Sequence, residues 1–254
     1  MKDIQSEFDS RGVNIRNVGI KEYVRPVMVR TNTNIINTVA AISLSVFLES
    51  SKRGTHMSRF VEILTDWDGN ISFENLQQIL SDTKEKLQTN SANVVLKFVY
   101  FLTKISPITK KSSSMSYTCG IIMNSNDDYF TLNINIPISS TCPCSKSISK
   151  YGAHNQRGIL SVKIRANTIN CIDDLIRKSE KSCSVDLFSL VKREDEKYIT
   201  EKSYENPKFV EDIARDMAMI LKSDGKYKWY EIDVETFESI HNHNAYASVY
   251  SSDI

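Results

Sequence analysis

The run Val94-Val-Leu-Lys-Phe-Val-Tyr-Phe-Leu-Thr-Lys104 decides the fold. Side chains alternate across a strand, so Val95, Val99 and Phe101 fall on one face and Leu96, Phe98 and Tyr100 on the other. A strand that is apolar on both faces needs cover on both. Helices cover one face. Closure into a barrel through subunit association covers the other and removes the open edges, so an oligomer is expected.

Upstream, Ile20–Val29 and Asn37–Ser50 read as strands, the second alternating Ile42, Leu44, Val46 and Leu48 against Ser43, Ser45 and Phe47. Pro26 suits an edge or a bulge. Ser58–Asp66 reads as a short helix, with Thr55 or Ser58 as cap. A second helix starts after Ser72, a plausible N-cap, with Phe73, Leu76, Ile79, Leu80 and Leu87 on one face. Ser113–Met123 is a further strand, and Asn124-Ser-Asn-Asp-Asp128 a turn. Beyond it the order repeats. Tyr129–Ile138 and Gly158–Ala166 read as strands, and Cys171–Leu190 as an interrupted helix. Pro207–Leu221 reads as a helix with Pro207 in its first turn and Val210, Ile213, Met217 and Ile220 sharing a face. Lys226–Glu235 and Ala245–Ser251 close as strands. The fold class is therefore α+β: two tandem modules, 1–124 and 125–254, each an antiparallel four-stranded sheet with two helices on one face.

Composition sets limits on function. The 254 residues are 41% hydrophobic and 25% charged, and 32 basic against 31 acidic residues leave a net charge of +1. That balance disfavours a nucleic-acid-coating or polybasic membrane-binding protein while allowing a local basic pocket. No window approaches the roughly 18 apolar residues of a membrane span. The polar, acidic start MKDIQSEFDSRG does not resemble a signal or transit peptide. Five cysteines without a secretory signal do not suggest a disulfide framework, so a cytoplasmic protein is expected.

The rare residues cluster. Ser140-Thr-Cys-Pro-Cys-Ser-Lys146 is followed by Ala153-His-Asn-Gln-Arg157. Cys142 and Cys144 flank a stiffening proline, and His154 sits at the mouth of the next strand. Thiolate and imidazole together suit zinc, iron and similar ions. With no second Cys pair or closely spaced His, a site with an open coordination position is favoured over a structural one. Cys119, Cys171 and Cys183 have no such neighbours and read as core thiols. Gly54-Thr-His-Met-Ser-Arg-Phe60 places Arg59 near a helix start, a plausible anion site. The acidic run from Glu194 reads mostly as a solvated face. Glu211, beside Val210, borders a buried face and can accept paired N–H donors from a purine or pterin edge. His241 and His243, at i and i+2, point the same way if extended, as a metal pair or proton relay requires.

These segments together resemble the type IB GTP cyclohydrolases of the tunnelling-fold (T-fold) superfamily. The matching strings are GTHMSRF (54–60), STCPCSK (140–146), GAHNQRG (152–158), DEKYITE (195–201), YENPKFVED (204–212) and FESIHNHNAYAS (237–248). They run in family order over nearly the whole chain. The resemblance implies two T-fold modules per chain, closing into barrels as a homotetramer with active sites between subunits. It places the catalytic metal on Cys142, His154 and Glu196, with zinc, manganese or iron(II) as the divalent ion. It also implies a purine-anchoring role for Glu211, proton transfer by His241 or His243, and further active-site positions at Cys144 and Glu238. Phosphate or ribose contacts fall on His56, Ser58, Arg59, Lys146, Gln156 and Arg157. The implied reaction converts GTP and water to 7,8-dihydroneopterin triphosphate and formate, the first step of tetrahydrofolate biosynthesis.

Other readings remain open at this point. An archaeal-type iron-dependent cyclohydrolase would release a cyclic phosphate. An NADPH-dependent nitrile reductase of the same superfamily would need a Glu-Ser-Lys-Ser-type motif, from which Glu49-Ser-Ser-Lys-Arg53 departs. The third is a non-catalytic purine- or pterin-binding protein.

Overall fold

A computed structural model describes residues 4, 5 and 7–253. In chain order the elements are β1 (Ile15–Arg30), β2 (Ile35–Leu48), α1 (Met57–Asp66), β3 (Asn70–Ile71), α2 (Phe73–Leu87), β4 (Ala92–Ile105) and β5 (Ser112–Asn124). There follow β6 (Phe130–Thr141), α3 (Pro143–Ile148), β7 (Asn155–Ala166), α4 (Ile172–Lys181), α5 (Arg193–Glu205), α6 (Val210–Asp224), β8 (Tyr230–Thr236) and β9 (Ala245–Tyr250). The nine strands hydrogen-bond in the order β3-β1-β2-β4-β5-β6-β7-β8-β9. The α+β class stands, with one mixed sheet, because β3 runs parallel to β1.

The chain forms two compact units. The first comprises the residues up to Val99 with Gly120–Leu132 and Ala166–Asn170. Its sheet buries Ala40, Ile42, Leu44 and Val46 of β2, in register with Phe98, Leu96, Val94 and Ala92 of β4. Phe60, Ile63 and Leu64 of α1 and Leu76, Ile79 and Leu80 of α2 complete this core. Ser72 caps α2 by accepting the Asn75 N–H, as its sequence position implies. Neither Thr55 nor Ser58 caps α1. Its N-cap is His56, with no side-chain cap bond, so the expected capping hydroxyls are corrected. Pro26 needs no bulge. The two-residue β3 reaches only Met28 and Val29 of β1, so Pro26 sits where the outer side of the strand has no ladder partner.

The second unit comprises Tyr100–Cys119, Asn133–Arg165 and the chain from Cys171 onward. Its core joins Leu160, Val162 and Ile164 of β7 to Ile232 and Val234 of β8, with Ile213, Met217 and Leu221 of α6 and Leu175 and Ile176 of α4. Besides the short helix α3, which the sequence reading did not assign, three elements depart from it. Residues 182–190 are not helical, because Val185 bridges Ser139 as an extended segment. The charged run after Lys192, to which the sequence reading assigned no element, is a helix, α5. Pro207 precedes α6 instead of sitting in its first turn. The helix starts after Phe209, whose N–H is taken by the Asp212 carboxylate at 3.0 Å. Among the described residues no helix is long and apolar enough to cross a membrane.

Candidate active site

The end of β6 sets the site. Cys142 follows the last β6 residue, Thr141, and serves as N-cap of the short helix α3, with Pro143 at the first helical position. The Ser145 N–H reaches Cys142 Sγ at 3.4 Å. Cys142 N–H bonds His154 O at 3.0 Å, tying the cysteine loop to the mouth of β7. Thr141 O accepts the Lys208 N–H at 3.0 Å, and Ser140 Oγ donates to Lys208 O at 2.8 Å. The entry to α6 is therefore fastened beside the cysteine turn. That brings Glu211, in the first turn of α6, to the same cavity.

The cavity has a volume of about 340 Å³, within the range of small-molecule sites. Cys142, Cys144, His154, Gln156, Glu211, Glu238, His241 and His243 all line it. Segments separated by up to a hundred residues thus converge as the sequence clusters suggested. The His241 and His243 rings stack, with centroids 5.1 Å apart and planes 20° apart. They lie in the loop before β9, not in a strand, so stacking and not strand alternation aligns them.

The donor chemistry of Cys142 and His154 fits a borderline-soft divalent ion. Cys142 Sγ accepts a backbone N–H, an interaction suited to a ligating sulfur. His154 Nδ1 is 2.9 Å from Gln156 Oε1, which leaves Nε2 for a ligand. Glu196 does not join them: it is exposed in the first turn of α5 and does not line the cavity. Among the described residues no group of three or more His, Cys, Asp or Glu side chains is placed to hold an ion.

The remaining expected contacts are dispersed. Lys146 turns to α5, donating to Tyr204 O at 2.6 Å with its ammonium 4.5 Å from the Tyr204 ring centroid. Arg157 is exposed on β7. His56, Ser58 and Arg59 stand at the start of α1 in the first unit, where Arg59 Nη1 donates to Lys86 O at 2.8 Å. Sequence reading missed Ser140, Lys208 and Phe209 as lining residues. All three lie within the quoted strings STCPCSK and YENPKFVED, which is the signal that could have found them. The other three cysteines sit apart from the cavity lining. Cys119 and Cys183 are buried and Cys171 is half-buried, and burial raises their thiols, to about 11 for Cys171 and about 12 for Cys183.

A family model described as type I GTP cyclohydrolase folE2 matches residues 1–247. The chain belongs to that family. A protein named GTP cyclohydrolase FolE2 from Thermosipho africanus is 48% identical, covering 99% of this chain and 98% of its own. Its namesake from Syntrophobacter fumaroxidans is 45% identical over 98% of each chain. Among solved structures, uricase from Arthrobacter globiformis is similar with a TM-score of 0.51 over 92% of each chain. At 8% identity that likeness is one of fold alone.

Proposed function

We propose that the chain is a metal-dependent GTP cyclohydrolase that converts GTP and water to 7,8-dihydroneopterin triphosphate and formate, opening tetrahydrofolate biosynthesis. One observation carries this reading: a carboxylate suited to a guanine edge, a Cys/His pair and two stacked histidines line one cavity. Family membership and full-length relatives named GTP cyclohydrolase support it.

Glu211 would hold the base. A planar carboxylate accepts two parallel N–H bonds, matching the ring N–H and exocyclic amine of guanine. Glu211 is carried by the first turn of α6. His241 or His243, exposed to the cavity, would move protons to and from the nitrogens released as the imidazole ring opens. Cys144 lines the same wall as a further proton-transfer candidate. Cys142 and His154 would hold a divalent ion, Zn²⁺, Mn²⁺ or Fe²⁺, with Glu196 as the third ligand named by the family resemblance. When bound, such an ion supplies Lewis-acid polarisation and lowers the pKa of water from about 15.7 toward 7. His56, Ser58, Arg59, Lys146, Gln156 and Arg157 are the candidate triphosphate and ribose contacts.

The tandem T-fold reading, with modules 1–124 and 125–254, belongs to this proposal. So do barrel closure, a homotetramer with sites shared between subunits, and a cytoplasmic location. The fold-level likeness to uricase supports the module reading, as does the recurrence of two strands on either side of a helical stretch, apart from the two-residue β3 and the short α3. Glu196 lying apart from Cys142 and His154 in one chain is consistent with a site completed on assembly.

The test separates the two halves of the site. Cys142→Ala is expected to lose bound metal and pterin formation together. Glu211→Ala is expected to lose GTP binding while keeping its metal. Wild-type turnover in Cys142→Ala, or metal loss in Glu211→Ala, would contradict these roles.

A further inference from the structure

Thr236, Glu238, Gln156 and His154 form one hydrogen-bonded line. Thr236 Oγ1 donates to Glu238 Oε1 at 2.8 Å, and Gln156 Nε2 donates to the same oxygen at 3.1 Å. Gln156 Oε1 then lies 2.9 Å from His154 Nδ1. Strand register builds this line. Gly158 of β7 is paired with Thr236 of β8. Extending that antiparallel register outward sets Gln156 opposite Glu238, and the Phe237 N–H to Arg157 O bond at 2.8 Å lies between them. Gly158 permits the approach, because a Cβ there would stand 2.3 Å from Glu235 O. His154 lies two residues before Gln156, the spacing that returns a side chain to the same side of an extended chain.

We propose that Glu238 and Gln156 are positioning residues that fix His154 in its Nδ1–H tautomer, with Nε2 free for the metal. A carboxylate only accepts hydrogen bonds, so the Gln156 amide turns its nitrogen to Glu238 and its oxygen to His154. An amide oxygen also only accepts, so the imidazole holds its hydrogen on Nδ1. The lone pair is left on Nε2, the form in which a histidine ligates. Thr236, 1% exposed, gives the shared Glu238 oxygen a second donor and holds the carboxylate still. Ser239 Oγ, 3.3 Å from Nδ1, lies at the same edge of the ring. Without an acceptor at position 238 the amide is free to turn over, and the two imidazole tautomers compete.

This assignment rests on reading Cys142 and His154 as the metal pair, and it moves Gln156 and Glu238 from substrate contact to preparation of a ligand. It is tested by metal affinity, measured on the full chain by competition with a chromophoric chelator for Zn²⁺ and by the visible spectrum of bound Co²⁺. Glu238→Ala and Gln156→Ala are each expected to weaken binding roughly 10- to 100-fold. The double variant is expected to be no worse than the weaker single one, because both act through one line. Glu238→Gln keeps an oxygen that accepts from Gln156 and Thr236, and is expected to recover most of the affinity.

Wild-type affinity in Glu238→Ala and Gln156→Ala, with loss in His154→Ala, would overturn the positioning role and leave the metal pair intact. Full affinity in His154→Ala would overturn both. Glu238→Gln no better than Glu238→Ala, at equal melting temperature, would overturn the positioning role by showing that the charge and not the acceptor matters.

Discussion

Asp195 of α5 is bonded to Thr109 through both carboxylate oxygens. Oδ1 accepts the Thr109 N–H at 3.0 Å, and Oδ2 accepts the Thr109 hydroxyl at 2.5 Å. The Ile108 N–H at 2.9 Å and the Lys192 N–H at 3.0 Å complete the set. Burial acts to raise this carboxyl, but the Thr109 hydroxyl and the three N–H donors outweigh it and hold Asp195 well below the usual carboxylate range. The ionised form is thus bound more tightly in the folded state. Its stabilisation is present above the unfolded value of about 3.9 and is lost as pH falls through the depressed folded value. Asp195→Asn is expected to unfold at lower urea concentration at pH 7, with the gap to wild type closing below about pH 4. A gap independent of pH would mean the charge is not what holds the turn.

Lys104 on β4 reaches Glu180 at 2.7 Å and Asp186 at 3.2 Å, and Tyr117 donates to Glu180 at 3.0 Å. The Lys104 and Glu180 side chains are 8% and 9% exposed. Burial raises the Glu180 carboxyl despite the neighbouring ammonium. Removing one partner leaves an unpaired buried charge, so Lys104→Met is expected to lose about 3–5 kcal/mol of stability in a denaturant titration. Lys104→Met combined with Glu180→Gln is expected to recover a large part of that loss. Additive losses would show that the two groups do not act as a pair.

The face of β4 opposite the core carries Val95, Val99 and Phe101, with the exposed Lys97 among them. Val99 is 37% exposed, and Val24 of β1, Val39 of β2 and Ile122 of β5 are likewise open on the side away from the first unit's core. A single exposed Val carries no meaning, but several together make the surface that the proposed assembly would cover. Val99→Glu is expected to leave the monomer folded and to lower the oligomeric mass measured by light scattering. Unchanged mass would remove this face from the interface. Leu96→Ala, on the buried side, is instead expected to cost about 2–5 kcal/mol of stability.

Much of this was legible from alternation alone. Leu96, Phe98 and Tyr100 are buried and Val99 and Phe101 are outward, as a period of two requires. Helix α5 was not legible because Arg193–Glu205 carries no apolar stripe. It is held at its ends, by Asp195 at the start and by Asn206 Nδ2 donating to Cys183 O and Ser184 O just past its end. Such long-range caps leave no periodic trace. The same applies within the site. Cys142, His154 and Glu211 stood out by residue type, whereas Gln156 and Glu238 meet across 82 positions only because β7 and β8 share a register. Lys146 entered only through the family resemblance, as a phosphate or ribose contact, and its ammonium lies over the Tyr204 ring.

The most direct test of the central claim is mass analysis of the products after metal-reconstituted protein is incubated with GTP. The expected result is 7,8-dihydroneopterin triphosphate with one formate per GTP consumed, and no product from Cys142→Ala. A cyclic phosphate product or unchanged GTP would contradict the account.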